Sequence, residues 1–363
     1  MQPNKILNME ANRKQILIDK KDTTPKQRDE RIDSVKYWLI VLVIAGHVFS
    51  RPEFSGSSAC TVLWKWIYIF HMPLFIFISG YFSNRKNGGK IWAGIWILLE
   101  PLIICQVLRL IPFILNGSIS ISDILTPQYA LWYLLSLIYY RLIIQILPEK
   151  ILNNSKLIVT ASFIISIIAG FLPFNRFLTM QRALSLMPFF FLGYCMKGRN
   201  LFLPSKFKPL HCAFLILSLA LPIFFQQYLG ELEHHSPYND YHDVFSRIFI
   251  FTISIPMSLA FINICPNIPW AARQGRLTMQ YYIYHTLIVL QFVSIISKLN
   301  FPMTYLSATI YTAIITISLG IASYLPYFSK LTNPSSLLNS TNIWFKYWHK
   351  LSSVWKLLIK QNQ

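Results

Sequence analysis

Long apolar stretches separated by short polar ones run along most of the chain. Windows of spanning or near-spanning length fall at about 36–50, 61–82, 91–115, 129–147, 157–173, 183–197, 210–229, 246–264, 277–296 and 304–327, against the ~20 residues a helix needs to cross a bilayer. The pattern predicts an all-α, polytopic transmembrane bundle of about ten spans. The first and sixth windows are short, so they are expected to pack inside the bundle or to draw flanking residues into the interface. Pro73, Pro101, Pro112, Pro188, Pro222 and Pro256 fall within spans, where neighbouring helices can satisfy the carbonyls they free. The pattern lacks the internal repeat that many secondary transporters show. Residues 31–330 read as the transmembrane domain, 1–30 as a disordered basic cytoplasmic tail and 331–363 as a basic C-terminal tail.

Composition agrees with this division. Of 363 residues, 54% are hydrophobic and 13% charged, and the mean hydropathy is +0.44. A formal net charge of +19 would suit nucleic acid in a soluble protein. Here the basic residues gather in alternate loops instead. Arg85, Lys86, Lys90, Lys150, Lys156, Lys197, Arg199, Lys206, Lys208, Arg273 and Arg276 share one side with the chain ends, and the opposite loops carry few. The bias holds at every crossing except the fifth, where it ties, so both termini are expected in the cytoplasm and no nucleic-acid partner is expected. The five cysteines show no metal-ligand spacing, and no metal site is expected. Glu231, Glu233, His234, His235, Asp240, His242 and Asp243 make the 230–245 loop acidic and histidine-bearing, and their spacing reads as a solvated loop.

Ionisable groups inside the spans are the candidates for chemistry, because they are costly at membrane depth. His47 follows Lys36 by eleven residues. On a helix that interval ends about 20° past three turns, which puts both on one face, roughly 16 Å apart. Counting 1.5 Å per residue brings His47, His71, His285 and Glu100 to a common level near mid-bilayer. One buried histidine is often only a structural hydrogen-bonding group. Four ionisable groups from separate helices at one depth point to a site, and imidazole suits proton transfer near neutrality. Lys36, with Asp33 on the same face and Arg31 nearby, is either an interfacial anchor or a contact for the phosphates of a cytosolic donor. Lys65, Arg109 and Arg141 lie nearer helix ends, where snorkelling explains them.

Asp33-x2-Lys36-x10-His47 with Ala45-Gly46-His47, followed by Ile69-Phe70-His71-Met72-Pro73-Leu74-Phe75-Ile76-Phe77-Ile78-Ser79-Gly80-Tyr81, resembles the opening of the acyltransferase-3 family of integral-membrane O-acyltransferases, in the branch related to fucose 4-O-acetylase. Leu131-Trp132-Tyr133-Leu134, Arg182 ahead of Met187-Pro188-Phe189, and Gly275-Arg276-Leu277-Thr278 leading to His285 extend the resemblance to the tenth span. It implies an acyl-CoA donor, acetyl-CoA in the simplest case, used as a substrate with no permanently bound cofactor. It also implies a carbohydrate or lipid-linked glycan acceptor and essential roles for Lys36 and His47. Where many members carry Arg-x-x-Arg at the start of the third helix, this chain reads Lys90-Ile91-Trp92-Ala93-Gly94.

The expected protein is therefore a multi-pass enzyme of the inner (plasma) membrane, surrounded by lipid, with His47 as general base for acyl transfer to a sugar hydroxyl. His71 would orient the acceptor or steady developing charge, with Lys36, Arg31 and Asp33 at the donor. His285, Glu100, Trp132 and Arg182 would contact the acceptor or support the residues that do. The competing expectation is a transporter or flippase for a lipid-linked saccharide, which also needs charged groups at mid-depth.

Overall fold

A computed structural model describes residues 29–326 apart from 87–89, 128, 231, 233 and 235, together with Phe328 and Thr332. The expected tails, 1–28 and nearly all of 331–363, lie outside the described residues, as do Glu231, Glu233 and His235 of the acidic loop.

All ten apolar windows form helix. The elements are α1 (Glu30–Phe49), α2 (Ser58–Tyr81), α3 (Lys90–Leu115), α4 (Ile121–Leu125), α5 (Trp132–Ile146), α6 (Glu149–Leu152), α7 (Ser155–Ala169), α8 (Met180–Cys195), α9 (Lys208–Ser218), α10 (Leu221–Phe224), α11 (Tyr241–Ile264), α12 (Pro269–Gly275), α13 (Thr278–Lys298) and α14 (Tyr305–Ala322). Among the described residues, eight helical stretches are long and apolar enough to cross a membrane. The fifth and sixth windows give α7 and α8, of 15 and 16 residues.

α1 begins six residues before its apolar window because its polar first turn is well capped. The Asp29 side chain accepts from the backbone N–H groups of Arg31 and Ile32 at 3.0 and 3.3 Å, and Glu30 and Asp33 meet the positive end of the helix dipole. The helix then runs through the middle of the bundle, packed on α2, α12, α13 and α14. That accounts for its burial nearly all round. α8 is the other interior helix, wedged among α2, α5 and α7. Its contact with α2 is backbone on backbone. A Cβ at Gly80 would overlap the Phe190 carbonyl, and one at Gly193 would overlap the Phe77 carbonyl. Outward faces remain apolar, with Trp92, Ile97 and Val107 on α3, Ile216 and Leu217 on α9, and Ile317 and Ile321 on α14 exposed where lipid would lie.

Pro73 illustrates how an interior proline is tolerated. It has no N–H to offer the Ile69 carbonyl four residues back, and the Ser254 hydroxyl of α11 donates to that carbonyl instead. This linkage pins the middle of α2, and with it the segment that carries Tyr68 and His71.

Candidate functional site

The end of α1 opposite Glu30 meets α2, α5, α8, α13 and four connecting segments around a cavity of about 380 Å³. His47, Tyr68 and His71 form one wall of it, and Trp132 and Arg182 lie on another. His47 occupies the last turn of α1. The sequence count places it near mid-bilayer, because that count starts from Lys36, six residues into the helix.

Three imidazoles converge. The His47 ring lies 5.0 Å from that of His285 and 5.9 Å from that of Tyr68, centroid to centroid. Tyr68 in turn is 4.8 Å from His71. Their hydrogen bonds define tautomers, since a carbonyl can only accept. His71 Nδ1–H donates to the Ile67 carbonyl at 2.8 Å, so its Nε2 carries the lone pair. His285 Nδ1–H donates to the Tyr282 and Tyr281 carbonyls at 2.7 and 3.1 Å. Its Nε2 is buried with no hydrogen-bond partner, on the ring that faces His47. The Tyr68 hydroxyl stands 3.2 Å from His47 Nδ1 and holds that ring in place.

The segments that complete the wall are held in costly backbone conformations. Six described non-glycine residues have positive φ, and Tyr129, Asn175, Thr179 and His234 among them line the cavity. Thr179, at φ 57°, is β-branched, which makes that conformation especially unfavourable. Strain of this kind persists where surrounding structure imposes it, and it concentrates at functional sites. Part of the imposition is visible around Thr126: the Gln106 amide donates to the Asp123 and Thr126 carbonyls, both at 3.0 Å. The Ser120 hydroxyl and N–H also donate to the Asp123 carboxylate, which holds that carboxyl below its usual range.

Other residues singled out in the sequence lie elsewhere. Lys36 is at the opposite end of α1, paired with Asp33 at 2.6 Å. Arg276 bridges Glu30 at 2.8 Å and Asp33 at 3.8 Å, and Arg31 sits 3.7 Å over the Phe202 ring. Ile40 and Val43, on the same face between Lys36 and His47, are buried. Glu100 is buried on α3 but is not among the described residues lining the cavity. Arg109 departs from the snorkelling expectation. It is buried, donates to the Ile283 carbonyl at 3.0 Å and the Thr286 hydroxyl at 2.8 Å, and lies 5.0 Å from the centre of the Tyr129 ring. Its task is to tie α3 to α13 behind the cavity wall. His234 also departs from expectation, since it is buried and lines the cavity, whereas the sequence reads its loop as solvated. Of the residues missed, Tyr68 had a signal: it precedes His71 by three residues and so shares its helix face. Among the described residues, no group of three or more His, Cys, Asp or Glu is arranged to hold a metal ion.

The acyltransferase domain family model matches residues 29–325, which includes every element described above. The chain belongs to the acyltransferase-3 family. Within it, a segment of 59 residues is 46% identical to nodulation protein NolL of Mesorhizobium japonicum. A match of the same length is 41% identical to nodulation protein NolL of Sinorhizobium fredii. Each match covers 16% of this chain and 16% of the relative. No solved structure matches.

Proposed function

We propose that this protein is a membrane O-acyltransferase that moves an acetyl group from acetyl-CoA to a hydroxyl of a cell-surface or lipid-linked carbohydrate, with His47 as general base. The observation that carries this reading is the convergence of His47, Tyr68 and His71 on one cavity. The reaction uses the tautomer in which the Tyr68 oxygen, 3.2 Å away, accepts from His47 Nδ1–H, so that Nε2 keeps the lone pair that chemistry at a hydroxyl requires. The acceptor oxygen attacks the thioester carbonyl while His47 Nε2 takes its proton. Collapse of the tetrahedral intermediate breaks the C–S bond, and the departing thiolate receives the proton. His71, whose Nε2 is bare, accepts from the sugar and orients it. The Trp132 ring offers a stacking surface for the sugar face.

In this reading the protein sits in the plasma (inner) membrane with both termini in the cytoplasm, and Lys36 with Arg31 receives the donor phosphates. Lys36→Ala should then raise the apparent KM for acetyl-CoA about tenfold, the scale of one lost charge-assisted contact. An unchanged KM would leave Lys36 as the structural partner of Asp33 alone. The reaction itself is tested by mass spectrometry of glycans from cells with and without the gene. A mass difference of one acetyl group, lost on mild alkali, is the expected result; identical glycans, with no transfer from labelled acetyl-CoA in membranes, would overturn the reading.

A further inference from the structure

The lining of this cavity changes character with depth. α1 and α2 are joined at the His47 end, so the step along α2 from Tyr68 to Met72 leads one turn towards the Glu30 end of α1. The step back along α1 from His47 to Val43 leads the same way. α8 runs beside α2 in the same direction, since its start shares the cavity with Tyr68 and its Gly193 meets the Phe77 carbonyl, and Leu186 accordingly lies one turn below Arg182. α13 runs with α1, His285 against His47 and Tyr281 against Tyr37, which sets Tyr282 one turn below Thr286. Four helices thus each present a pair of residues four positions apart. The outer layer is His47, Tyr68, Arg182 and Thr286, with Arg51 and Arg176 further out, and the inner layer is Val43, Met72, Leu186 and Tyr282. Every outer residue can hydrogen-bond, and Thr179 adds a buried hydroxyl that has no hydrogen-bond partner. The inner layer offers no free donor, because the Tyr282 hydroxyl already donates to the Ala130 carbonyl at 2.6 Å. A sugar ring seated there would leave its hydroxyls unpaired, which is costly, whereas an apolar chain gains by leaving water.

We propose that the inner layer is the pocket for the acyl chain of the donor, and that Val43 and Leu186, both part of the buried core, limit that chain to the depth of one helical turn, ~5.4 Å. The acyl carbonyl is then held where the two layers meet, beneath His47, with the acceptor hydroxyl in the outer layer. An acetyl or propionyl group fits that depth, and an octanoyl group exceeds it. The identification of the occupant as an acyl chain rests on the acyltransferase reading above; the apolar floor itself rests on the four residue pairs.

Membranes from cells that make the full-length protein are given acetyl-, propionyl-, butyryl- or octanoyl-CoA, and ester formed in glycan is followed for each donor. The readout is kcat/KM for each donor relative to acetyl-CoA, a ratio that does not depend on how much of a variant is folded. In the wild type octanoyl-CoA should fall at least tenfold below acetyl-CoA. Val43→Ala and Leu186→Ala deepen the floor and should raise the butyryl-to-acetyl ratio about tenfold, the scale of a methylene in an apolar pocket. Leu186→Phe fills the floor and should lower the propionyl-to-acetyl ratio by a similar factor. Ile216→Ala, on the outward face of α9, should leave every ratio as in the wild type. Transfer with ratios unchanged in all three floor variants, or wild-type protein that uses octanoyl-CoA as well as acetyl-CoA, would overturn the pocket and leave the reaction standing. Transfer from none of the four donors would overturn the acyltransferase reading and the pocket with it.

Discussion

His47→Ala is expected to lower acyl transfer by about 10²- to 10⁴-fold, the usual contribution of a positioned general base. The protein should still accumulate in membranes and elute as a single species. The His47 ring borders open space in the cavity, so truncation removes a nitrogen without opening a void in packed core. The measurement is alkali-labile label in glycan after membranes are given labelled acetyl-CoA. His47→Gln sharpens the test. Glutamine can still hydrogen-bond the Tyr68 hydroxyl but cannot take a proton, so a base predicts equal loss in both variants, whereas a merely structural histidine predicts recovery in His47→Gln. Tyr68→Phe should fall between wild type and these variants, because it frees the ring without removing it. Activity within threefold of wild type in His47→Ala would remove His47 from the chemistry.

The helices and the histidines were legible in the sequence to different depths. Apolar length alone located helix in all ten windows, since burial in lipid writes itself into the residues of a span. The apolar window missed the first six residues of α1, a polar stretch held by the Asp29 cap and the Arg276 ion pairs. The nearness of His47, His71 and His285 was expected from counting rise per residue on three helices, although the count for α1 began six residues after its true start. Glu100 followed the same arithmetic but does not border the cavity, because depth fixes height along a helix and says nothing of which way α3 turns that residue. The arginines show the opposite failure. Arg51 and Arg176 sit in connections, where neither period nor hydropathy predicts which way the backbone folds, and the left-handed turns at Asn175 and Thr179 that deliver Arg176 and Arg182 have no glycine to announce them. Arg109 looked terminal along its own helix; what buries it is α13, more than 170 residues away in sequence and invisible to any local rule.

Gly193→Val is expected to be the most damaging change to the fold. Along the α2–α8 crossing, Gly80 faces the Phe190 carbonyl and Gly193 faces the Phe77 carbonyl, a reciprocal pair in which each glycine admits the other helix's backbone. Any Cβ there must push one helix away from the other, since the obstacle is main chain and cannot rotate aside. Overpacking of a core by side chains costs about 1–3 kcal/mol, and a β-branched group against fixed backbone belongs at or above the upper end. The loss should appear as a lowered midpoint of thermal unfolding in detergent and a smaller monodisperse fraction. Gly56→Ala is the matched control: nothing lies within 4 Å of a Cβ at that position, so it should be silent. Activity supplies a second consequence. Displacing α2 from α8 moves Tyr68 and His71 against His47, and the Ser254 hydroxyl that holds the Ile69 carbonyl resists that shift from the far side. Gly193→Ala, a smaller intrusion, should therefore keep more stability than Gly193→Val but lose transfer activity out of proportion to its unfolding midpoint. Gly193→Val protein as stable as wild type would mean that the two backbones are not in contact, and the placement of His71 would lose its support.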